Sequence, residues 1–162
     1  MNFLRNTLGV VLGLGVAAVI ISLGVRIDSS WTQTYDGLSP FEHWEKVLSS
    51  VERKPGFFWT LLFSSGIGAT VGGVVTAIIV KYAKVAYAIL IGFMMLFFAM
   101  LDIIIFPYHP TFYKILIFII YFPFSWMGGK IVEVIYERNK RKLRKTKTLK
   151  QIERLYQEQS LD

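Results

Sequence analysis

Residues 57–80, FFWTLLFSSGIGATVGGVVTAIIV, decide what kind of fold this chain adopts. The stretch carries no charged side chain and no proline. At about 1.5 Å per residue it is longer than the roughly 30 Å hydrocarbon core of a bilayer. Small residues run through it at helical spacing. Ser65, Ala69, Gly73 and Ala77 recur every fourth position, and Ser64, Gly68 and Gly72 form a neighbouring stripe. Lipid tails are as apolar as leucine, so membrane helices associate through close backbone approach, which small residues permit. This segment therefore reads as a membrane helix built to meet other helices.

Three more apolar blocks surround it, at residues 7–25, 85–106 and 112–129. The first is longer than a signal-peptide core, although Ser22 and Gly24 stand at a plausible cleavage spacing, so it is expected to remain as a membrane helix. It carries a matching stripe at Gly9, Gly13 and Ala17, which predicts contact between the first and second membrane helices, with self-association between copies as the competing use. The third and fourth blocks are rich in bulky side chains, among them Phe93, Met94, Met95, Phe97, Phe98, Phe118, Tyr121, Phe122 and Phe124, which suit lipid or a loosely specified partner. Ala88 on the third block is expected to tolerate added volume far better than Gly72 or Gly73. Pro123 is expected to kink the fourth helix near Ile119.

Composition agrees with an all-α membrane fold: 54% of the residues are hydrophobic and 15% aromatic, too apolar for an ordinary soluble domain. The chain has no cysteine, which excludes disulfides, thiolate metal sites and cysteine nucleophiles. A net charge of +7 could point to nucleic acid. The excess, however, lies mostly in one run after the last apolar block: Arg138, Lys140, Arg141, Lys142, Arg144, Lys145 and Lys147. Beside a membrane helix such a run meets anionic lipid headgroups first, at about 1 kcal/mol per basic side chain. The chain thus divides into a membrane domain, residues 1–137, and a basic tail, residues 138–162, whose Leu149, Ile152, Leu155 and Tyr156 form a weakly amphipathic segment. Glu137 and Arg141 are spaced to pair along a helix.

Basic residues are retained on the cytoplasmic side. Arg5, Lys81, Lys84 and the tail fall together if both ends of the chain are cytoplasmic. The loop between the first two membrane helices, with Asp28, Asp36, Glu42, Glu45 and Glu52, is then outside. Within that loop Ser39-Pro40-Phe41-Glu42 is a helix-start signature, an N-cap serine with proline at the first helical position and a glutamate completing a capping box. Phe41, Trp44, Val47, Leu48 and Val51 follow on one face, predicting a short amphipathic helix on the outer membrane surface or over the bundle.

Asp102 is the one carboxylate inside an apolar block. Charge in hydrocarbon is costly and marks either a structural pair or an ion or proton site. It lies near the negative end of its helix dipole and calls for a cationic partner, which His109 or Lys114 can supply. Glycine-rich phosphate loops, His-Glu-x-x-His and acidic metal clusters are absent from the sequence, His43 has no evident ligand set, and Ser64 and Ser65 lack a nearby base. No catalytic residue, metal or cofactor is therefore expected.

The pattern Gly68-Ala69-x-x-Gly72-Gly73-x-x-x-Ala77, the His109-Pro110-Thr111-Phe112 turn, and a proline followed by Gly128-Gly129 resemble a recurrent type of small four-helix bacterial inner-membrane protein. That type usually has an aromatic residue where Thr111 stands. The resemblance implies a bacterial cytoplasmic membrane and no particular activity. The expectation is a non-enzymatic protein that works by assembly, as accessory subunit of a larger membrane complex or as a homo-oligomer. The alternative is a small transporter or channel component using Asp102.

Overall fold

The computed structural model describes residues 2–27 and 37–159, with side chains from residue 3 to residue 151. Asp28 and Asp36 of the loop, and the side chains of Ile152, Leu155 and Tyr156, lie outside the described residues. Five helices follow in order: α1 (Asn2–Ile27), α2 (Pro40–Val51), α3 (Pro55–Ile79), α4 (Lys84–Ile105) and α5 (Thr111–Gln159). Among the described residues there is no strand. α1, α3, α4 and α5 are each long and apolar enough to cross a membrane, which marks a multi-pass membrane protein. α5 passes through Pro123 and across the boundary at residues 137–138 as a single helix, so the basic run extends the last membrane helix. Along that extension Glu137 and Arg141 stand 3.6 Å apart.

The four long helices alternate in direction. Gly9 lies against Ile79 and Val80 while Gly24 lies against Ser64, so α1 and α3 are antiparallel. Short turns reverse α4 against α3 and α5 against α4, leaving α3 and α5 parallel. One end of the bundle gathers the start of α1 and the α3–α4 turn, and the other gathers α2 and the α4–α5 turn. α3 is the central helix, packed on α1, α4 and α5. α1 and α4 each lean on α3 and touch one another little.

The outer surface inverts the pattern of a water-soluble protein. Ile104 is 72% exposed, Phe63 68% and Phe93 57%, a ring of large apolar side chains that only lipid or another helix can cover. Of the bulky residues expected to face outward on α4 and α5, Met95 and Tyr121 instead turn into the core, because the inward face of each helix also needs large side chains to fill the space around α3.

Two small-residue stripes on α3 meet different neighbours. A Cβ on Gly72 would fall 2.7 Å from the Gly13 carbonyl, and one on Gly68 would fall 3.0 Å from the Ala17 carbonyl. Thr76 continues this stripe and donates its hydroxyl across to the Gly9 carbonyl at 3.0 Å. The other stripe turns away from α1: a Cβ on Gly73 would fall 2.8 Å from the Ser125 carbonyl of α5 and 3.5 Å from Ala88. Positions one residue apart are turned by about 100° on a helix, so adjacent stripes cannot serve one partner. Ala69 and Ala77 are fully buried with Gly73. On α5, Gly128 comes against the backbone of Thr70 and Val74, and Gly129 against Val85 and Ala88. Ala88 is fully buried in that crossing, which corrects the expectation that it tolerates volume.

The ends are fastened by polar groups. At the α3–α4 turn the Lys84 ammonium donates to the Ala77 and Val80 carbonyls at 2.7 and 2.8 Å, groups that the end of α3 leaves without helical partners. At the opposite end α2 begins with the capping box: the Ser39 N–H and hydroxyl donate to Glu42 Oε2 at 2.9 and 2.8 Å, and the Glu42 N–H donates back to Ser39 Oγ. The apolar face of α2 is turned onto the bundle. Val47, Leu48 and Val51 are fully buried, and Phe41 and Trp44 pack on Phe106 and Phe57 with ring centroids 5.1 and 6.5 Å apart.

Candidate functional site: a polar cluster above a lateral cavity

Asp102 stands three residues before the end of α4, about 4.5 Å along the axis, and its carboxylate is held by two other elements. The Trp44 indole N–H, from α2, donates to Oδ1 at 2.8 Å. His109 Nε2, from the α4–α5 turn, lies 3.0 Å from Oδ2. That second approach is off the line of a ring N–H, so it acts as an electrostatic contact rather than an aligned hydrogen bond. The His109 ring is fixed on its other sides. Nδ1 is 2.9 Å from the Phe106 carbonyl, the ring stacks on Tyr113 at 5.2 Å, and the Phe58 ring approaches at 5.7 Å.

Both imidazole nitrogens thus face oxygen. Asp102, His109 and Trp44 thereby bring α2, α4 and the α4–α5 turn together.

Of the two partners expected for Asp102, the structure brings His109 to it. Lys114 makes no ion pair with it among the described residues. Tyr113, Ile117 and Tyr121 define the inward face of α5, and Lys114 is one position round from that face. Trp44 takes the remaining place. Its helical face is legible in the sequence, but pairing with Asp102 joins residues 58 positions apart, which spacing does not reveal.

Below the cluster lies a cavity of about 540 Å³ between α1 and α4. α1 lines it with Leu14, Gly15, Ala18 and Ile21, and α4 with Met95, Phe98 and Asp102. Ser65 of α3 and Tyr121 of α5 form its floor, and Trp44 closes the α2 end. Towards the other end of the bundle Asn6 donates to the Tyr87 hydroxyl at 2.9 Å, tying α1 to α4. The cavity opens sideways, where Gly15 has nothing within 4 Å of its would-be side chain. Its wall is apolar apart from Asp102, Ser65, the Trp44 N–H and the tyrosine hydroxyls.

The remaining small-stripe residues lie in the α1–α3 and α3–α5 contacts described above, away from the cluster. Arg138, Lys140, Arg141, Lys142, Arg144, Lys145 and Lys147 are exposed along the extension of α5, at the bundle end opposite Asp102. Among the described residues no group of histidine and acidic side chains is placed to hold a metal ion. Comparisons with protein-family models, curated proteins and solved structures give no significant match.

Proposed function

We propose that this chain is a non-enzymatic membrane protein that acts by assembly, as accessory subunit of a larger membrane complex or as a homo-oligomer. One observation carries the reading: the single carboxylate within the apolar helices is engaged as a structural tie. A carboxylate serving transport would need a polar route past it, whereas Trp44 covers Asp102 on the α2 side and the space beneath is walled by apolar groups. The apolar outer faces of α1 and α4 supply surface for lipid or for neighbouring subunits.

The protein sits in a bacterial cytoplasmic membrane with both ends inside. Arg5, Lys81, Lys84 and the tail fall at one end of the bundle and favour that side. α2 then covers the outer end, and the basic face of α5 engages anionic headgroups in preference to nucleic acid. A second reading, a small transporter or channel component, draws on the Asp102 side chain being 27% exposed.

Asp102→Asn separates the two. It keeps shape and an acceptor for Trp44 while removing charge. Assembly predicts a modestly lowered melting temperature in detergent with growth and complex formation intact. Loss of solute flux or growth, with stability and complex formation unchanged, would replace the assembly reading with transport.

A further inference from the structure

The extension of α5 beyond the bundle presents two different faces, and contacts within the bundle fix which way each one points. On α5, Ser125 comes against Gly92, Gly129 against Val85 and Ala88, and the Tyr136 ring lies beside the Lys84 ammonium, 5.0 Å from its centroid. At about 100° per residue these three positions share one side of the helix, the side turned to α4. The helix runs on without a break, so Lys140, Leu143, Lys147 and Lys150 fall within about 40° of Tyr136 on that same side. Arg138, Arg141 and Lys145 fall roughly opposite, in line with the lipid-facing Met127, Ile131 and Val134.

At this end of the bundle the inner side of the extension forms a corner. Its roof is the α3–α4 turn with Lys81 and Lys84, and Arg5 stands close enough to act electrostatically on Lys84. Its wall is the face of α5 that runs about 21 Å from Tyr136 to Lys150, exposed along its whole length. The sequence carries no acidic residue between Arg138 and Lys150. Roof and wall are both positive, so charge complementarity calls for an anionic occupant.

Position and spacing choose among anions. Bilayer headgroups are kept from the corner because the bundle itself stands over it, and at physiological salt their field fades within about 8 Å. The opposite face of α5 meets them instead. Nucleic-acid phosphates would take the lysines but have no use for Leu143, 65% exposed among them, or for Tyr136. Tyr136 and Leu143 are separated by close to two full turns, and Lys140 and Lys147 repeat at the same interval beside them. An apolar position flanked by charge at that interval is what one helix offers another.

We propose that this corner docks an acidic amphipathic α-helix of a cytoplasmic protein, its carboxylates pairing with Lys140, Lys147 and Lys150 and its apolar face lying on Tyr136 and Leu143. The proposal rests on the accessory-subunit reading and on the orientation given above, and it supplies that subunit with a water-soluble partner.

The test uses the full chain, one per phosphatidylcholine nanodisc, and a fluorescein-labelled peptide of three heptads with leucine at the apolar positions and glutamate flanking them. Fluorescence anisotropy at physiological salt should show saturable binding of the peptide, tighter than that of a labelled DNA duplex. The triple variant Lys140→Gln, Lys147→Gln, Lys150→Gln should weaken peptide binding about tenfold, as the loss of three exposed ion pairs implies. Arg138→Gln, Arg141→Gln, Lys145→Gln removes the same charge from the opposite face and should change it by less than about twofold. Leu143→Ser should weaken binding about fivefold and Leu149→Ser, on the far side, should not. All these positions are exposed, so the variants keep the fold. Equal losses from the two triple variants, tighter binding of the duplex, or no saturable binding of the peptide would overturn the proposal. Because binding is read on a single chain, its outcome is separate from the heavier native complex that the assembly reading requires.

Discussion

At Asp102 a carboxylate near the end of α4 accepts from the Trp44 N–H and faces the buried His109 imidazole, both of which have little water to turn to. Removing the carboxylate strands the indole N–H and leaves the imidazole without its electrostatic contact. Asp102→Leu should lower unfolding stability by about 1–3 kcal/mol, whereas Asp102→Asn should cost about 1 kcal/mol or less, because its amide oxygen still accepts from Trp44. Thermal and denaturant unfolding of the two variants in one detergent measures the difference, and equal losses would mean that the Trp44 bond is not made. Gly13 is a second test at this scale. Its missing side chain admits the Gly72 carbonyl and the Thr76 hydroxyl, so Gly13→Leu should cost about 1–3 kcal/mol of overpacking, while Gly15→Leu, into open space, should cost little. Both glycines stand in the same helix two positions apart, and the sequence marks Gly13 through its spacing with Gly9 and Ala17. It marks Asp102 as well, since one charge in an apolar block is conspicuous, and it brings His109 within reach by nearness in the chain. Trp44 was hidden because nothing in an amphipathic period says which distant helix it will meet.

Among the elements, α2 has the most explicit local instructions. Its capping box satisfies amides at the helix start, and the hydrogen bonds from the Ser39 N–H and then its hydroxyl hold the Glu42 carboxyl below the ordinary carboxylate range, with Lys46 adding to the effect. A carboxyl whose pKa is depressed by folding stabilises the folded state fully above its ordinary value and loses that contribution as pH falls through the depressed one. The melting temperature of Glu42→Gln should therefore lie below that of the parent at neutral pH, with the gap closing in acid; a gap that persists in acid would count against the carboxylate as its source. α3 was legible for a different reason. Its lack of charge and its two small-residue stripes made it a packing helix, but a stripe names a kind of neighbour and not which neighbour. Only the rotation between adjacent stripes assigns Ser64, Gly68 and Gly72 to α1, and Gly73 to α5 and α4. α5 carries the last membrane segment and the basic run in one helix, because the change from apolar to basic residues at Lys130 and Arg138 alters the solvent a helix meets without supplying a breaker.

For the whole molecule the sequence carries the count of spans, since bilayer thickness fixes the length of a span, and its lysine and arginine distribution is the ground for proposing both ends cytoplasmic. A reporter active only in the cytoplasm should give signal when fused after Asp162 and none when inserted within residues 29–39; the reverse would invert every segment. The lateral cavity was not legible, because a gap between α1 and α4 follows from α1 packing on α3 while α4 packs on α5 and α3, a property of crossing geometry rather than of either helix alone. That open arrangement, with apolar faces outward and the one embedded carboxylate tied off, is what the assembly reading rests on. Native mass spectrometry of the chain, extracted in lipid nanodiscs from the membrane in which it was made, tests it most directly. The account predicts one defined complex heavier than a single chain, either copies of itself or stoichiometric partners, and the same complex from Asp102→Asn. A single chain with lipid alone in every preparation, alongside loss of solute flux in Asp102→Asn, would contradict it.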